Sequence, residues 1–79
     1  MILYSTEGCH LCEMAYQLLI ELKLESFVEV IDIAFDDELF SRYGVTIPVL
    51  VINDSELNWP FDITTLQTWL GQHGITYHP

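Results

Sequence analysis

Apolar positions along the chain follow two rhythms, and their alternation predicts the fold. Ile2-Leu3-Tyr4 is a short apolar run closed by Ser5-Thr6-Glu7-Gly8, which reads as a buried strand followed by a turn. From Leu11 the apolar residues recur at Leu11, Met14, Ala15, Leu18, Leu19 and Leu22, the i, i+3, i+4, i+7 stripe of an amphipathic helix. Glu13 in its first turn and Lys23 in its last suit the helix dipole. Phe27 to Ile33, β-branched and apolar apart from Glu29 and Asp32, predicts a second strand. Strand, helix, strand makes a βαβ unit, whose right-handed crossover sets the two strands parallel with the helix over one face.

Asp36-Asp37-Glu38 opens a short helix through Leu39, Phe40 and Tyr43, with Asp36 or Asp37 as its cap and Gly44 as its stop. Pro48 to Ile52, the turn Asn53-Asp54-Ser55 and Glu56 to Trp59 read as an antiparallel hairpin that Pro60 ends. Asp62 caps a last helix carrying Ile63, Leu66, Trp69 and Leu70 on one side, and Gly71 to Pro79 is its end and a tail. The order βαβ, α, ββα predicts an α/β fold with a four-stranded mixed sheet and flanking helices. With 79 residues there is room for one core only, so residues 1–79 form a single domain with a tail from about residue 74.

Composition narrows the function. Hydrophobic residues make up 51% of the chain, enough for a packed core. Twelve acidic residues against Lys23 and Arg42 give a net charge of −10, which excludes nucleic acid and anionic membrane surfaces as partners, since both need clustered cations. The same field would steer a partner with a basic docking face, or simply keep a hydrophobic small domain soluble. The first residues lack a basic region and a long apolar run, so the expected location is the cytoplasm, and the expected state is a monomer.

The candidate chemistry is the pair Cys9 and Cys12. A bond between them closes too small a loop to staple the fold, and the pair directly follows a strand and opens a helix. A helix N-terminus lowers a thiol's pKa, so Cys9 reads as nucleophile; Cys12, one turn on, can resolve a mixed disulfide on it. Metal ligation is the weaker alternative: His73 and His78 are suitably spaced, but the gap to the cysteines is far from that of a zinc finger. His10 could stabilise the Cys9 thiolate as an imidazolium, or be an exposed turn residue, while Glu7 and Glu13 oppose a second anion. Tyr4, Trp59 and Phe61 could line a substrate groove or pack as core and rim, and Arg42 could meet a substrate carboxylate or make a solvated ion pair.

Tyr4-Ser5-Thr6-Glu7-Gly8-Cys9-His10-Leu11-Cys12 resembles the active-site segment of glutaredoxins, and Thr46-Ile47-Pro48-Val49 resembles their T-V-P-x segment. The chain is most similar to a bacterial glutaredoxin-like group of short acidic chains, a resemblance that supplies no physiological substrate. It implies a thioredoxin-like fold with sheet order 2-1-3-4, strand three reversed against one and two, and strand four antiparallel to strand three. It also implies a cis bond at Ile47-Pro48, substrate contacts from Ile47, Pro48 and Asp62 in addition to those read above for His10 and Tyr4, and a thiol-disulfide oxidoreductase with Cys9 and Cys12 as catalytic residues.

No tightly bound cofactor or metal is implied. The expected partners are a protein or small-molecule disulfide, with glutathione or a flavoprotein disulfide reductase as electron source. Thr6 and Glu7 stand where many glutaredoxins carry a cation, and Asn58-Trp59-Pro60-Phe61-Asp62 keeps only the Asp of the G-G-x-x-D segment that receives glutathione. Both departures weigh against glutathione more than against dithiol chemistry. The rival reading is a thioredoxin-fold docking module whose cysteines are non-catalytic or hold a metal or iron-sulfur cluster.

Overall fold

Strand β1 (Ile2–Ser5) lies inside a four-stranded sheet, between β2 (Glu29–Asp32) and β3 (Val49–Ile52), with β4 (Ser55–Asn58) beyond β3. This arrangement comes from a computed structural model that describes residues 1–74. β1 runs parallel to β2 and antiparallel to β3, and β3 runs antiparallel to β4, the order and directions that the resemblance implied. Helices α1 (His10–Glu21), α2 (Asp37–Tyr43) and α3 (Ile63–Gln72) flank the sheet.

Side-chain alternation in the strands divides the core between the two faces. Leu3 and Leu50, paired across β1 and β3, point to the side where Ala15, Leu19 and Leu22 of α1 meet Leu66, Trp69 and Leu70 of α3. Tyr4 and Val49, the next pair along, point to the other side and pack with Ile33, Leu39 and Tyr43 beneath α2. No helix among the described residues is long and apolar enough to cross a membrane.

The structure corrects several local expectations. Leu11 and Met14 are each 44% exposed, and the buried line of α1 is Cys12, Ala15, Leu19 and Leu22. Counting Cys12 as core rather than as chemistry alone moves the centre of the apolar stripe round the helix. Lys23 lies beyond the last turn, at φ 60, where its N–H donates to the Ile20 carbonyl at 2.9 Å and the Leu24 N–H donates to the Leu19 carbonyl at 2.9 Å. That is a Schellman closure with lysine in the position usually held by glycine.

Strand β2 is shorter than expected, because Phe27 ends a 3-10 turn (Glu25–Phe27) and Ile33 begins another (Ile33–Phe35) that the Asp32 carboxylate caps by accepting from the Ala34 N–H at 2.9 Å. Ser55 pairs with Ile52, so the hairpin loop is Asn53-Asp54 alone, while Gly71 lies within α3. Gly44 does stop α2, yet with an ordinary helical φ of −55. Its reason is close approach, since a Cβ there would sit 2.6 Å from the Phe40 carbonyl oxygen.

Under α2, Tyr4 stacks on Tyr43 with ring centroids 4.5 Å apart, and the Tyr43 hydroxyl donates to the Glu56 carboxylate. Arg42 lies 5.1 Å over the Tyr43 ring and 3.5 Å from Glu56, so the ion pair reading of Arg42 describes its surroundings. Burial first, then the hydrogen bond and charge of Glu56, push the Tyr43 phenol up to about 12. A raised folded-state pKa stabilises the fold fully below the ordinary value of 10.0 and loses that contribution as pH climbs toward 12. Alkaline unfolding of wild type should therefore steepen in that window, and Tyr43→Phe should flatten it. Thermal melts between about pH 9 and 12 check this, and superimposable slopes would contradict it.

Candidate active site

The loop between β1 and α1 is held by two hydrogen bonds. The Thr6 hydroxyl donates to Asp32 Oδ1 at 3.0 Å, tying the loop to the end of β2, and the Cys9 N–H donates to the Thr6 carbonyl at 3.3 Å. Between them Gly8 adopts φ +80, a conformation that L side chains rarely take, although a Cβ there would meet no atom within 4 Å. Conformation rather than space calls for the glycine at this turn.

Cys9 is thereby set as the N-cap of α1, with extended φ and ψ of −84 and 100, and its Sγ accepts a hydrogen bond from the Cys12 N–H at 3.2 Å. The two cysteines are joined as a disulfide with Cα atoms 5.2 Å apart. Their surroundings differ. Cys9 is half-buried at the helix start, whereas Cys12 is 3% exposed and lies against the core. A thiol at the first position is open to attack a partner, and one at the second is screened from all but its neighbour.

Beside the pair opens a cavity of about 370 Å³, bounded by Ser5, Thr6, Glu13, Tyr16, Gln17 and Val30 together with both cysteines. It runs along α1 toward the β2 edge. None of its wall residues beyond the cysteines was expected from sequence, although Glu13, Tyr16 and Gln17 stand at i+4, i+7 and i+8 from Cys9, on one helix face. The Thr6 to Asp32 bond spans 26 residues and leaves no local sequence signal.

Tyr4, His10, Ile47, Pro48 and Asp62 are not among the residues that bound this cavity. His10 is exposed, with Nδ1 3.6 Å from Glu13 Oε2. Pro48 is fully buried after a cis Ile47-Pro48 bond, and Trp59-Pro60 is cis as well. The Ile47 N–H donates to the Tyr43 carbonyl at 3.2 Å. Asp62 caps α3 by accepting from the Thr65 N–H at 2.7 Å, a bond that holds its carboxyl below the ordinary value. Tyr4 belongs to the cluster under α2, while Trp59 and Phe61 meet edge to face, 5.0 Å between centroids, in the α1 and α3 core. His73 packs 5.1 Å from the Trp69 ring, and His78 lies outside the described residues. Among the described residues no group of three or more His, Cys, Asp and Glu side chains is gathered as a metal site.

Residues 1–71 match the model of the glutaredoxin-like domain (DUF836) family. An X-ray structure of Northeast Structural Genomics target protein XcR50 from X. campestris is 36% identical, over 90% of this chain and 95% of that one, with a TM-score of 0.82. A solution structure of the same target is 35% identical, over 98% and 96% of the two chains, with a TM-score of 0.79. Both are consistent with a thioredoxin-like α/β fold. No curated protein matches the chain.

Proposed function

The chain belongs to the glutaredoxin-like domain family, and from that premise we propose that it is a thiol-disulfide oxidoreductase in which Cys9 attacks and Cys12 resolves. The family and a Cys9-Cys12 pair at disulfide distance fit a thioredoxin-fold redox module. The observation that carries the finer reading is the asymmetry of the pair, a half-buried helix cap followed one turn later by a buried thiol.

In the reduced protein the Cys12 N–H and the positive end of the α1 dipole favour a thiolate on Cys9. That thiolate attacks one sulfur of a substrate disulfide, the other sulfur leaves as a thiolate and takes a proton, and a mixed disulfide remains on Cys9. Cys12 then gives up its proton and attacks Cys9 Sγ, which releases the second substrate thiol and closes the Cys9-Cys12 disulfide. Two electrons have passed to the substrate. Glutathione or a flavoprotein disulfide reductase in the cytoplasm would return them.

Iodoacetamide should alkylate Cys9 of the reduced protein at least about tenfold faster than Cys12, as read from peptide masses over time. Equal rates, or faster labelling of Cys12, would contradict the assignment of roles.

A further inference from the structure

Three apolar side chains at the cysteine end of the sheet stand in water: Val45 is 98% exposed, Phe35 89% and Leu11 44%. They come from three separate segments, the α2 to β3 connection, the turn after β2 and the first turn of α1. Strand register brings those segments to one end, because β2 finishes at Asp32 opposite Ser5, β3 begins at Val49 opposite Tyr4, and the Cys9 loop leaves from Ser5. Scattered surface apolar residues need no explanation, whereas several on segments that share one end of the sheet with the disulfide loop mark a surface for a partner.

The charge at this end has one sign. Glu7, Glu13, Asp36, Asp37, Glu38 and Asp62 are exposed on the same segments or directly beside them. Lys23 follows α1 at the opposite end of the sheet, and Arg42 faces Glu56 and the Asn53-Asp54 turn. Glutathione, with two carboxylates and one amine, is an anion and would meet carboxylates here.

We propose, resting on the oxidoreductase reading, that the substrate is a protein disulfide whose cysteine lies in a segment bearing Lys or Arg and apolar side chains. The apolar groups seat on Leu11, Phe35 and Val45, and the cations face the acidic rim. Cys9 forms the mixed disulfide with that segment, and Cys12 releases it as a thiol with the two-electron balance described above.

The test compares reduction of four disulfides by the reduced protein. Two are short peptides dimerised through a central cysteine, one with Lys, Leu and Phe beside it and one with Glu and Ser; the others are glutathione disulfide and bis(2-hydroxyethyl) disulfide. At low salt the basic, apolar peptide should react at least about tenfold faster than the acidic one or glutathione disulfide, and the gap should narrow at about 1 M salt.

The double variant Phe35→Ser, Val45→Ser should lower the ratio of basic-peptide to hydroxyethyl-disulfide rates several-fold, whereas Phe27→Ser, at the opposite end of β2, should leave that ratio unchanged. Equal rates for the two peptides, or glutathione disulfide as the fastest, would overturn the proposal while leaving the oxidoreductase intact. Failure to reduce even hydroxyethyl disulfide would remove both.

Discussion

Cys9→Ser should bring disulfide reduction down to the rate of uncatalysed thiol exchange, and Cys12→Ser should instead stall the protein as a mixed disulfide on Cys9. The two substitutions change one atom each, so they separate the roles without disturbing the backbone. Losing an enzyme's covalent nucleophile costs on the order of 10⁶ in turnover elsewhere; the fall here ends sooner, because thiols exchange unaided. The half-buried helix cap is the position from which a sulfur can reach a partner, and the 3% exposed Cys12 is reached most readily by Cys9. Incubating each variant with a model disulfide and reading intact mass distinguishes the outcomes. A stable adduct on Cys12 in the Cys9→Ser protein, with none on Cys9 in the Cys12→Ser protein, would reverse the assignment.

Leu50→Ala should destabilise the domain by about 2–5 kcal/mol. Leu50 is fully buried at the centre of the sheet, paired with Leu3 on one side and Leu57 on the other, where the residues of α1 and α3 meet. Removing its branch leaves a void that neighbours on three elements cannot all close. At about 0.1 kcal/mol per residue a 79-residue chain has a stability near 8 kcal/mol, so this one change takes away a large share. Phe27→Ala, which removes a larger side chain that is 68% exposed, should shift stability by no more than about 0.5 kcal/mol. Urea melts of the two variants check the contrast, and comparable midpoints would mean that the core does not lie where the leucines meet.

Much of the fold was legible because each element carries its own local signal. The period of two in the strands, the period near 3.6 in α1 and α3, and the capping carboxylates of Asp36 and Asp62 act over a few residues, and the resemblance supplied strand order. The misread positions are those where two demands meet in one residue. Cys12 is both chemistry and core, and treating it as chemistry alone turned Leu11 and Met14 inward when they face water. Asp32 lies in a strand, caps the next turn and anchors Thr6, so the sequence pattern ran β2 on to Ile33.

The cysteine pair itself stood out by spacing and context, as did its place at the head of α1. Its cavity did not, because Val30 reaches it only through the pairing of β1 with β2. Tyr4 shows the same limit. Its stacking partner was not legible from its place beside the active-site loop, because strand alternation turns it under α2 onto Tyr43.

The central claim is that Cys9 and Cys12 form a working redox couple, and the most direct measurement equilibrates the protein across glutathione redox buffers, traps thiols by alkylation and reads the masses. The account predicts an intramolecular disulfide that titrates between about −270 and −200 mV, within the range of thioredoxins and glutaredoxins, with no persistent glutathione adduct. Two thiols that stay reduced across the whole series would contradict it and leave a docking module in place of an enzyme.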